Sequence, residues 1–348
     1  MIGYYAHHHG SGHLTRMRNI ARALNEPVWG LSSAPAPKGW SSDWTELARD
    51  DAPEGAGLNR DDDPTAHGVL HWAPRGQAGL AERSAQLALW AAERRPRALV
   101  VDVSVEVALL ARLCGVPTVV VAMPGHRDDR AHRLAYDTAD ALLAPWPKGA
   151  HNSNWPDTWT DKAWFVGGLS RFDSLMDQAL MGSSAELRAI NPTTAQRTVL
   201  LLWGSGGRTT TAAQVEAAQA ATPSWTWIER SPGTDSATDL WNELQLADVV
   251  VSHAGQNAVA EVAAARRPAV IVAQPRPYDE QVATARCIED WRIAVGCSQW
   301  PTAEAWPHLL RLALVRGGRG WERWSTGLGA RQAAEHLSRI GLPMGSHP

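Results

Sequence analysis

The stretch LADVVVSHAGQNAVAEVAAARRPAVIVAQPRPYDEQ, residues 246–281, decides the fold. An unbroken apolar run ends at Ser252, Gly255 marks a turn, and a segment with helical periodicity follows over Val259–Ala265. A second apolar run, Ala269–Val272, comes next. Apolar runs without polar alternation are typical of strands in parallel sheets that helices cover on both faces. This stretch therefore predicts a strand–helix–strand unit of a doubly wound α/β domain.

The same alternation of short apolar runs and helical segments extends over the rest of the chain. The strand candidates are Ile2–Ala6, Pro27–Leu31, Ala98–Val103, Thr118–Met123, Ala141–Ala144, Thr198–Trp203, Trp225–Glu229, Val249–Ser252 and Ala269–Val272. The helix candidates are Leu14–Leu24, Gly79–Arg94, Val105–Cys114, Thr211–Ala221, Val259–Ala265, Gln281–Asp290 and Ala330–Ile340. Each half opens with a strand, a glycine-rich turn and a helix. The pattern thus predicts two Rossmann-like domains, and the ligand loops at the carboxyl ends of their sheets face each other across a cleft.

We place the domain boundary at the Gly167–Gly168 pair, after which a region rich in turn residues leads to the second glycine-rich strand–turn–helix unit. The first domain is then expected to span residues 1–168 and the second residues 169–325. The last segment, 326–348, is expected to hold a helix that returns to the first domain.

Composition narrows the class of function. The 348 residues are 44% hydrophobic and 20% charged, and the net charge is −3, which gives no general attraction to nucleic acid. Three cysteines without a CxxC motif do not suggest a disulfide framework or a zinc site, and a reducing cytoplasm is expected. No signal peptide and no run of 18 apolar residues is found, so no transmembrane segment is expected.

The opening segment, GYYAHHHGSGHLTRMRNIARAL from Gly3 to Leu24, admits several readings. A metal site is disfavoured, because adjacent side chains of an extended chain point to opposite faces and the three consecutive histidines would diverge. A dinucleotide fingerprint fails, since Thr15 stands where the third glycine is required. What remains is a strand, a tight turn and a helix whose N-terminus favours negative charge. His13 lies at that turn, either as a proton-transfer group or as a cap of the turn.

The segment at residues 246–281 resembles the donor-binding signature of the GT-B glycosyltransferases. The plant enzymes of this group carry a His-x-Gly-x-Asn-x-x-x-Glu pattern, which His253, Gly255, Asn257 and Glu261 match in spacing. The flanking ADVVVSHAG and AEVAAARRPAVIV, the segment TVLLLWGSGG and the segment FVGGLSRFD are similar to glycosyltransferase family 28, the family of the bacterial N-acetylglucosaminyltransferases that complete lipid II. Within the signature at residues 246–281, Ala258 stands where the plant pattern has a serine.

This resemblance implies roles for the donor side. His253 would contact the donor diphosphate, Glu261 would accept both ribose hydroxyls, and Gln281 would read sugar hydroxyls. The remaining donor-binding residues would be Gly204, Ser205, Gly206, Ala254, Gly255, Gln256, Asn257, Ala258 and Glu280. The resemblance implies UDP as the donor nucleotide. The aromatic residue that stacks on uracil in the lipid II enzymes has no counterpart at Ser236 or Ala237, however, so dTDP stays open. Trp241 or Trp227 could take its place.

The resemblance also implies that His13 is the catalytic base, oriented by a carboxylate. Asp102 ends a buried strand and is expected to be that carboxylate, with Glu106 as the alternative and helix capping as the competing role for Asp102. On the acceptor side we expect Ser11, Gly12, His126, Arg127 and Asp128. The segment around the last three also reads as a solvated charged loop.

Two further motifs are weighed and set aside. Asp61–Asp63 form a superficial Asp-x-Asp, but Pro64 and Gly68 mark a loop and no apolar strand precedes it, so no metal ligands are expected there. Trp321 and Trp324, with nearby arginines, could touch an anionic membrane, but packing at the domain junction is the preferred interpretation.

The sequence thus predicts a cytoplasmic, metal-independent, inverting GT-B glycosyltransferase of bacterial type without a cofactor. It would move a hexose or N-acetylhexosamine from a UDP-sugar to a small-molecule, lipid-linked or glycan acceptor, and peripheral contact with the inner face of the membrane stays open. The alternatives are a GT-B sugar-nucleotide epimerase, for which we find no carboxylate constellation, and a non-catalytic subunit that binds a nucleotide sugar.

Overall fold

The computed structural model describes residues 1–51, 63–151, 154–176, 196–204, 208–230 and 237–341, which form two α/β domains built on parallel sheets. The predicted GT-B architecture of two Rossmann-like domains is confirmed. The sheet of the first domain has the strand order β3-β2-β1-β4-β5-β6-β7. Its strands are β1 (Ile2–Ala6), β2 (Val28–Ser32), β3 (Trp44–Glu46), β4 (Ala98–Asp102), β5 (Thr118–Val121), β6 (Ala141–Ala144) and β7 (Ala163–Phe165).

The second sheet has the order β12-β11-β10-β8-β9. Its strands are β8 (Arg197–Leu202), β9 (Trp225–Arg230), β10 (Val249–His253), β11 (Ala269–Val272) and β12 (Val295–Cys297). Every paired strand in both sheets runs parallel to its neighbour. The central strands β1, β4 and β11 are buried along their whole length, as their unbroken apolar runs require.

Helices cover both faces of the two sheets. In the first domain they are α1 (Ser11–Ala23), α2 (Ala78–Arg94), α3 (Val105–Leu113), α4 (Arg130–Thr138) and α5 (Asp157–Thr160). In the second they are α6 (Ala212–Ala221), α7 (Ala237–Leu246), α8 (Gln256–Ala265), α9 (Glu280–Asp290) and α10 (Trp306–Arg316), followed by α11 (Gly329–Arg339). Across the described residues, none of them combines the length and apolar character that crossing a bilayer requires.

The last helix, α11, packs against the first domain. Ala333 and Leu337 of α11 belong to the same buried apolar cluster as Ile2 of β1 and Met17 of α1. Two tryptophan side chains in the segment before α11 are also buried, since Trp321 is 0% and Trp324 4% exposed. Neither ring is therefore available to a membrane surface, and both take part in packing.

Sequence periodicity missed α7 and α10, together with several elements that are short or highly charged. Strands β3, β7 and β12 have three residues each, too few to show a pattern. Helix α4 begins in a segment that reads as a charged loop, but Asp129 caps it by accepting from the backbone N–H groups of Ala131 and His132. The interpretation of residues 123–133 as a solvated loop is therefore wrong over α4.

Candidate active site

A histidine–aspartate pair lies at the carboxyl edge of the first sheet. Ala6 and Asp102 are register partners at the ends of β1 and β4, so the loop after β1 runs beside the Asp102 carboxylate. His13, on the first turn of α1, has its Nδ1 2.8 Å from Asp102 Oδ1. An ionised carboxylate can only accept a hydrogen bond, so in the neutral imidazole Nδ1 carries the proton and Nε2 keeps its lone pair. This is the geometry of an imidazole held ready to take a proton at Nε2.

Asp102, rather than Glu106, faces His13. Asp102 is fully buried and also accepts from Arg16 Nη1 at 2.7 Å and from the Tyr4 hydroxyl at 3.1 Å. Burial alone would raise its pKa, but the charge of Arg16 and the contacts with His13 hold the pKa below its ordinary value. Glu106 instead accepts from the backbone N–H groups at residues 71 and 72.

Asp102 does not cap the helix that follows it. Ser104 is the N-cap of α3, and its hydroxyl accepts from Val107 N–H. Between them, Val103 has a φ of 67°. A β-branched residue in this region costs on the order of 1–3 kcal/mol and is found mainly where a site demands it. The chain therefore carries local strain directly after the carboxylate.

Arg16 connects this pair to the second domain. It lies one turn after His13 on α1 and is only 4% exposed. While Nη1 donates to Asp102, Nη2 donates to Gln256 Oε1 at 2.6 Å, and Gln256 is the first residue of α8. Gly12 is close to the same helix, because a Cβ on it would lie 3.1 Å from Asn257 Nδ2. The start of α1 therefore meets the N-terminus of α8 across the domain boundary.

His253 ends β10 with its ring between two glycines. A Cβ on Gly204 would lie 2.3 Å from Nε2, and one on Gly255 would lie 2.5 Å from Cε1, so both positions need glycine. The Gly255 N–H donates to Nδ1 at 3.1 Å, which leaves the proton of the neutral ring on Nε2. Burial, with a further contribution from Arg276, lowers the pKa of His253 to about 4. At neutral pH the ring is therefore a neutral donor through Nε2.

The N-terminus of α8 adds further donors beside His253. Gly255 is its N-cap without a side-chain hydrogen bond, and the first N–H groups of a helix have no partner within it. Those of Gln256, Asn257 and Ala258 belong to this set. Such a terminus favours an anion. Ala254 contributes through packing, since it is 2% exposed and its N–H donates to Val272 O.

Glu261 lies in the second turn of α8, paired with Arg171. Arg171 Nε is 2.8 Å from Glu261 Oε1, and the Glu261 side chain is 13% exposed. Burial raises the pKa of Glu261, while the nearby guanidinium opposes that shift. The carboxylate therefore has one oxygen committed to Arg171.

Arg127 and Glu280, expected on the acceptor and donor sides, bind each other. Arg127 is 7% exposed, and its Nη2 donates to Glu280 Oε2 at 3.0 Å. Its guanidinium also lies 4.2 Å from the centre of the Tyr278 ring. The adjoining Gly125 allows close backbone contact, because a Cβ on it would lie 2.1 Å from Tyr278 O. Arg127 thus forms an interdomain contact, and solvation of this residue is excluded.

The other predicted residues are placed as follows. His126 and Asp128 are exposed, and with Arg127 they line an interdomain cavity of about 470 Å³ that Trp155, Trp291 and Arg286 also line. His13 and Asp102 are not among its lining residues. Gln281 is buried and its Oε1 accepts from the backbone N–H of Gln274. Ser11 is exposed on the first turn of α1. Ser205 and Gly206 lie outside the described residues, as do Asp61 and Asp62.

Neither tryptophan suggested as a stacking partner for the base is free of other packing. Trp227 donates to the Thr222 hydroxyl and packs edge-on against Trp306 at 5.3 Å between ring centres. Trp241 packs against Phe172 at 5.2 Å.

Comparison with known proteins identifies a family domain in the second half of the chain. Residues 164–302 match the family model of the glycosyltransferase family 28 C-terminal domain. The suspected family is thereby confirmed for these residues. The chain as a whole has the GT-B fold. No curated protein matches it in sequence.

Solved structures share the fold of this chain over its whole length. The glycosyltransferase of kitacinnamycin is 17% identical with a TM-score of 0.66, and the match covers 98% of this chain and 99% of that one. SnogD from Streptomyces nogalater is 15% identical with a TM-score of 0.63, covering 97% and 99%. MurG from Acinetobacter baumannii is 18% identical with a TM-score of 0.57, covering 96% and 94%. At these identities the likeness establishes the fold.

Sequence reasoning missed three residues of the candidate site. Arg16 was detectable, because three residues after His13 it lies on the same helix face. Tyr4 and Arg171 gave no comparable signal. Tyr4 is in a uniformly apolar strand, and Arg171 meets Glu261 only through the packing of distant segments.

Proposed function

We propose that this protein is an inverting glycosyltransferase that moves a hexose or N-acetylhexosamine from a UDP-sugar to an acceptor hydroxyl. The observation that carries the proposal is the His13–Asp102 pair next to the N-terminus of α8 across the domain boundary. A base for the acceptor and an anion site for the leaving group are the two elements that a direct displacement needs. Both occur at one domain junction.

In the proposed reaction the acceptor oxygen attacks the anomeric carbon while the bond from that carbon to the diphosphate oxygen breaks. The hydroxyl proton passes to His13 Nε2. Asp102 then stabilises the imidazolium through its hydrogen bond to Nδ1 and remains ionised. The negative charge of the departing diphosphate is stabilised by hydrogen bonds from His253 Nε2–H and from the N–H groups that begin α8.

The donor is proposed to be UDP-linked, with dTDP as the alternative base, and Glu261 to accept hydrogen bonds from the ribose hydroxyls. The acceptor is proposed to be a small molecule, a lipid-linked molecule or a glycan, with the enzyme acting in the cytoplasm or at the inner face of the membrane. Because protein groups meet the diphosphate charge, the affinity for UDP should be the same in EDTA and in Mg²⁺, as calorimetry would measure.

The central test uses His13→Ala. Loss of the base should lower kcat about 10²–10⁴-fold while the Kd for UDP stays within about twofold. His7→Ala, a substitution in the same loop, is the matched control and should cost far less. Transfer from an α-linked UDP-sugar, followed by NMR of the product, should give the β-anomer. Retention of the α-configuration, or equal losses in the two variants, would refute the proposal.

A further inference from the structure

Three histidines before the catalytic loop form a cluster that the transfer mechanism does not use. Strand β1 ends at Ala6, so His7, His8 and His9 lie in a bend and not in a strand. The ring centres of His8 and His9 are 4.2 Å apart, and those of His7 and His8 are 4.7 Å apart. The sequence argument that consecutive side chains diverge therefore does not apply to this run.

Asp51 completes a possible ligand set with two of these histidines. Its Oδ2 lies 3.5 Å from His8 Nε2 and 3.7 Å from His9 Nε2. One ligand atom from each of the three residues lies within 4.8 Å of the others. Tetrahedral zinc with bonds of about 2.0–2.1 Å separates its ligand atoms by roughly 3.4 Å. The cluster is therefore already near the spacing that such an ion imposes.

His8 supplies an independent indication of a ligand. Its side chain is 2% exposed, and in the described part of the chain neither ring nitrogen has a hydrogen-bond partner. Buried polar groups are normally satisfied, so two unsatisfied nitrogens on one ring call for an explanation.

Arg49 orients the Asp51 carboxylate and leaves it lone pairs that can bind an ion. Its Nε donates to Asp51 Oδ1 at 3.0 Å and its Nη2 to Oδ2 at 2.6 Å. Each carboxylate oxygen has a second lone pair, so Oδ2 can still bind an ion. Second-shell bonds of this kind fix ligand orientation in metal sites. His9 is 65% exposed, which gives an ion and a water ligand access from solvent.

We propose that His8, His9 and Asp51 bind one divalent transition-metal ion, with zinc as the ion that the two-imidazole, one-carboxylate set fits. The ion would clamp the loop between β1 and α1 to the segment after β3. His7 in this loop lies 6.0 Å from His13 between ring centres, so the clamp would steady the approach to the catalytic pair without entering the chemistry.

The test uses the full-length protein without an affinity tag, stripped of metal by a chelator. Calorimetry with ZnCl₂ should show one equivalent bound, and CoCl₂ should give the intense visible absorption of a tetrahedral complex. Asp51→Asn and His8→Gln should each weaken binding by at least about 100-fold, since loss of even a second-shell partner costs 10- to 100-fold. The Asn variant keeps the shape of a partly exposed residue, and circular dichroism would verify that both variants fold.

Two controls separate this site from adventitious binding. His67→Ala removes an exposed histidine that lies 3.4 Å from Asp63 and should leave affinity and stoichiometry unchanged. His7→Ala removes no proposed ligand, only a hydrogen bond to the His9 backbone and ring packing against His8, so it should cost far less than about 100-fold. No stoichiometric binding to the wild type, unchanged affinity in Asp51→Asn, or equal weakening by His7→Ala would overturn the proposal. The affinity for UDP should stay the same with and without zinc, so this outcome is independent of the donor site.

Discussion

Replacing Asp102 with Asn removes a charge from the catalytic pair while retaining its geometry. His13 and Arg16 both donate to Oδ1, and only the Tyr4 hydroxyl uses Oδ2. In the variant the amide oxygen can keep the first two bonds, and the amide NH₂ can donate to Tyr4, whose hydroxyl also accepts. The substitution therefore isolates the negative charge.

Two costs follow from losing that charge. Hydrogen bonds to a charged group are worth about 1.5–3 kcal/mol against about 1 kcal/mol for neutral ones, so the imidazolium formed during transfer is less stabilised. This difference of about 0.5–2 kcal/mol corresponds to a fall in kcat of roughly 2- to 30-fold. Arg16 loses the counter-charge of a buried pair, which costs about 3–5 kcal/mol of folding stability. Gln256 still accepts from Arg16, which favours the lower end.

The assays are steady-state transfer, UDP calorimetry and denaturant unfolding, all below the melting temperature of the variant. Because the folded pKa of Asp102 is depressed, its contribution to stability is present above the unfolded pKa of about 3.9 and is lost as the pH falls through the folded value. The stability difference between wild type and Asp102→Asn should therefore be full at pH 7 and shrink below about pH 4.

Tyr4→Phe is the matched control, since it removes one hydrogen bond to the same carboxylate but keeps its charge, and it should cost about 1.5–3 kcal/mol of stability with little effect on kcat. The reasoning would be refuted if Asp102→Asn kept wild-type kcat while folded, or if its stability difference from wild type were independent of pH from 7 to 3.

Three further predictions concern other parts of the site and fold. Glu261→Gln should weaken UDP binding about 10-fold and Glu261→Ala about 10²–10³-fold. A 2′-deoxyribose donor should bind the wild type more weakly than the normal donor does, and this difference in affinity should disappear in Glu261→Ala. If calorimetry finds the same difference in the variant, ribose binding by this carboxylate is excluded. Arg127→Met should lower the free energy of unfolding by about 2–3 kcal/mol, because it leaves Glu280, a quarter of which is exposed, without its partner. The double variant Arg127→Met/Glu280→Met should recover part of this loss. A large rise in acceptor KM with unchanged stability would favour an acceptor role instead. Burial lowers the pKa of His151 to about 3, so the unfolded chain binds one more proton below about pH 6.5 and stability falls on acidification. His151→Phe should reduce the loss between pH 7.5 and 5.5 by about 1.4 kcal/mol in urea unfolding, and an identical loss in the variant would contradict the burial argument.

Much of the fold follows from local patterns. The unbroken apolar runs of β1, β4, β10 and β11 can be satisfied only inside a sheet covered on both faces, and their alternation with helical periods imposes parallel connections. The glycines beside His253 were also recognisable, since a turn between strand and helix demands small residues. The position of His13 at such a turn, and of Asp102 at the end of a strand, could therefore be predicted from the sequence.

Contacts between segments far apart in the chain were decided only by the tertiary structure. Which carboxylate faces His13 depends on the register of β1 against β4, and sequence spacing left Glu106 open as an alternative to Asp102. Arg127 and Glu280 were assigned to different substrates, but burial of Arg127 at the domain junction favours their pairing. The histidine run converges with Asp51 because the chain bends after Ala6, and local periodicity carries no information about such a bend. The sequence by itself determined the elements and their chemistry, whereas only tertiary packing decided the partners of the charged groups, because each partner is supplied by a segment distant along the chain.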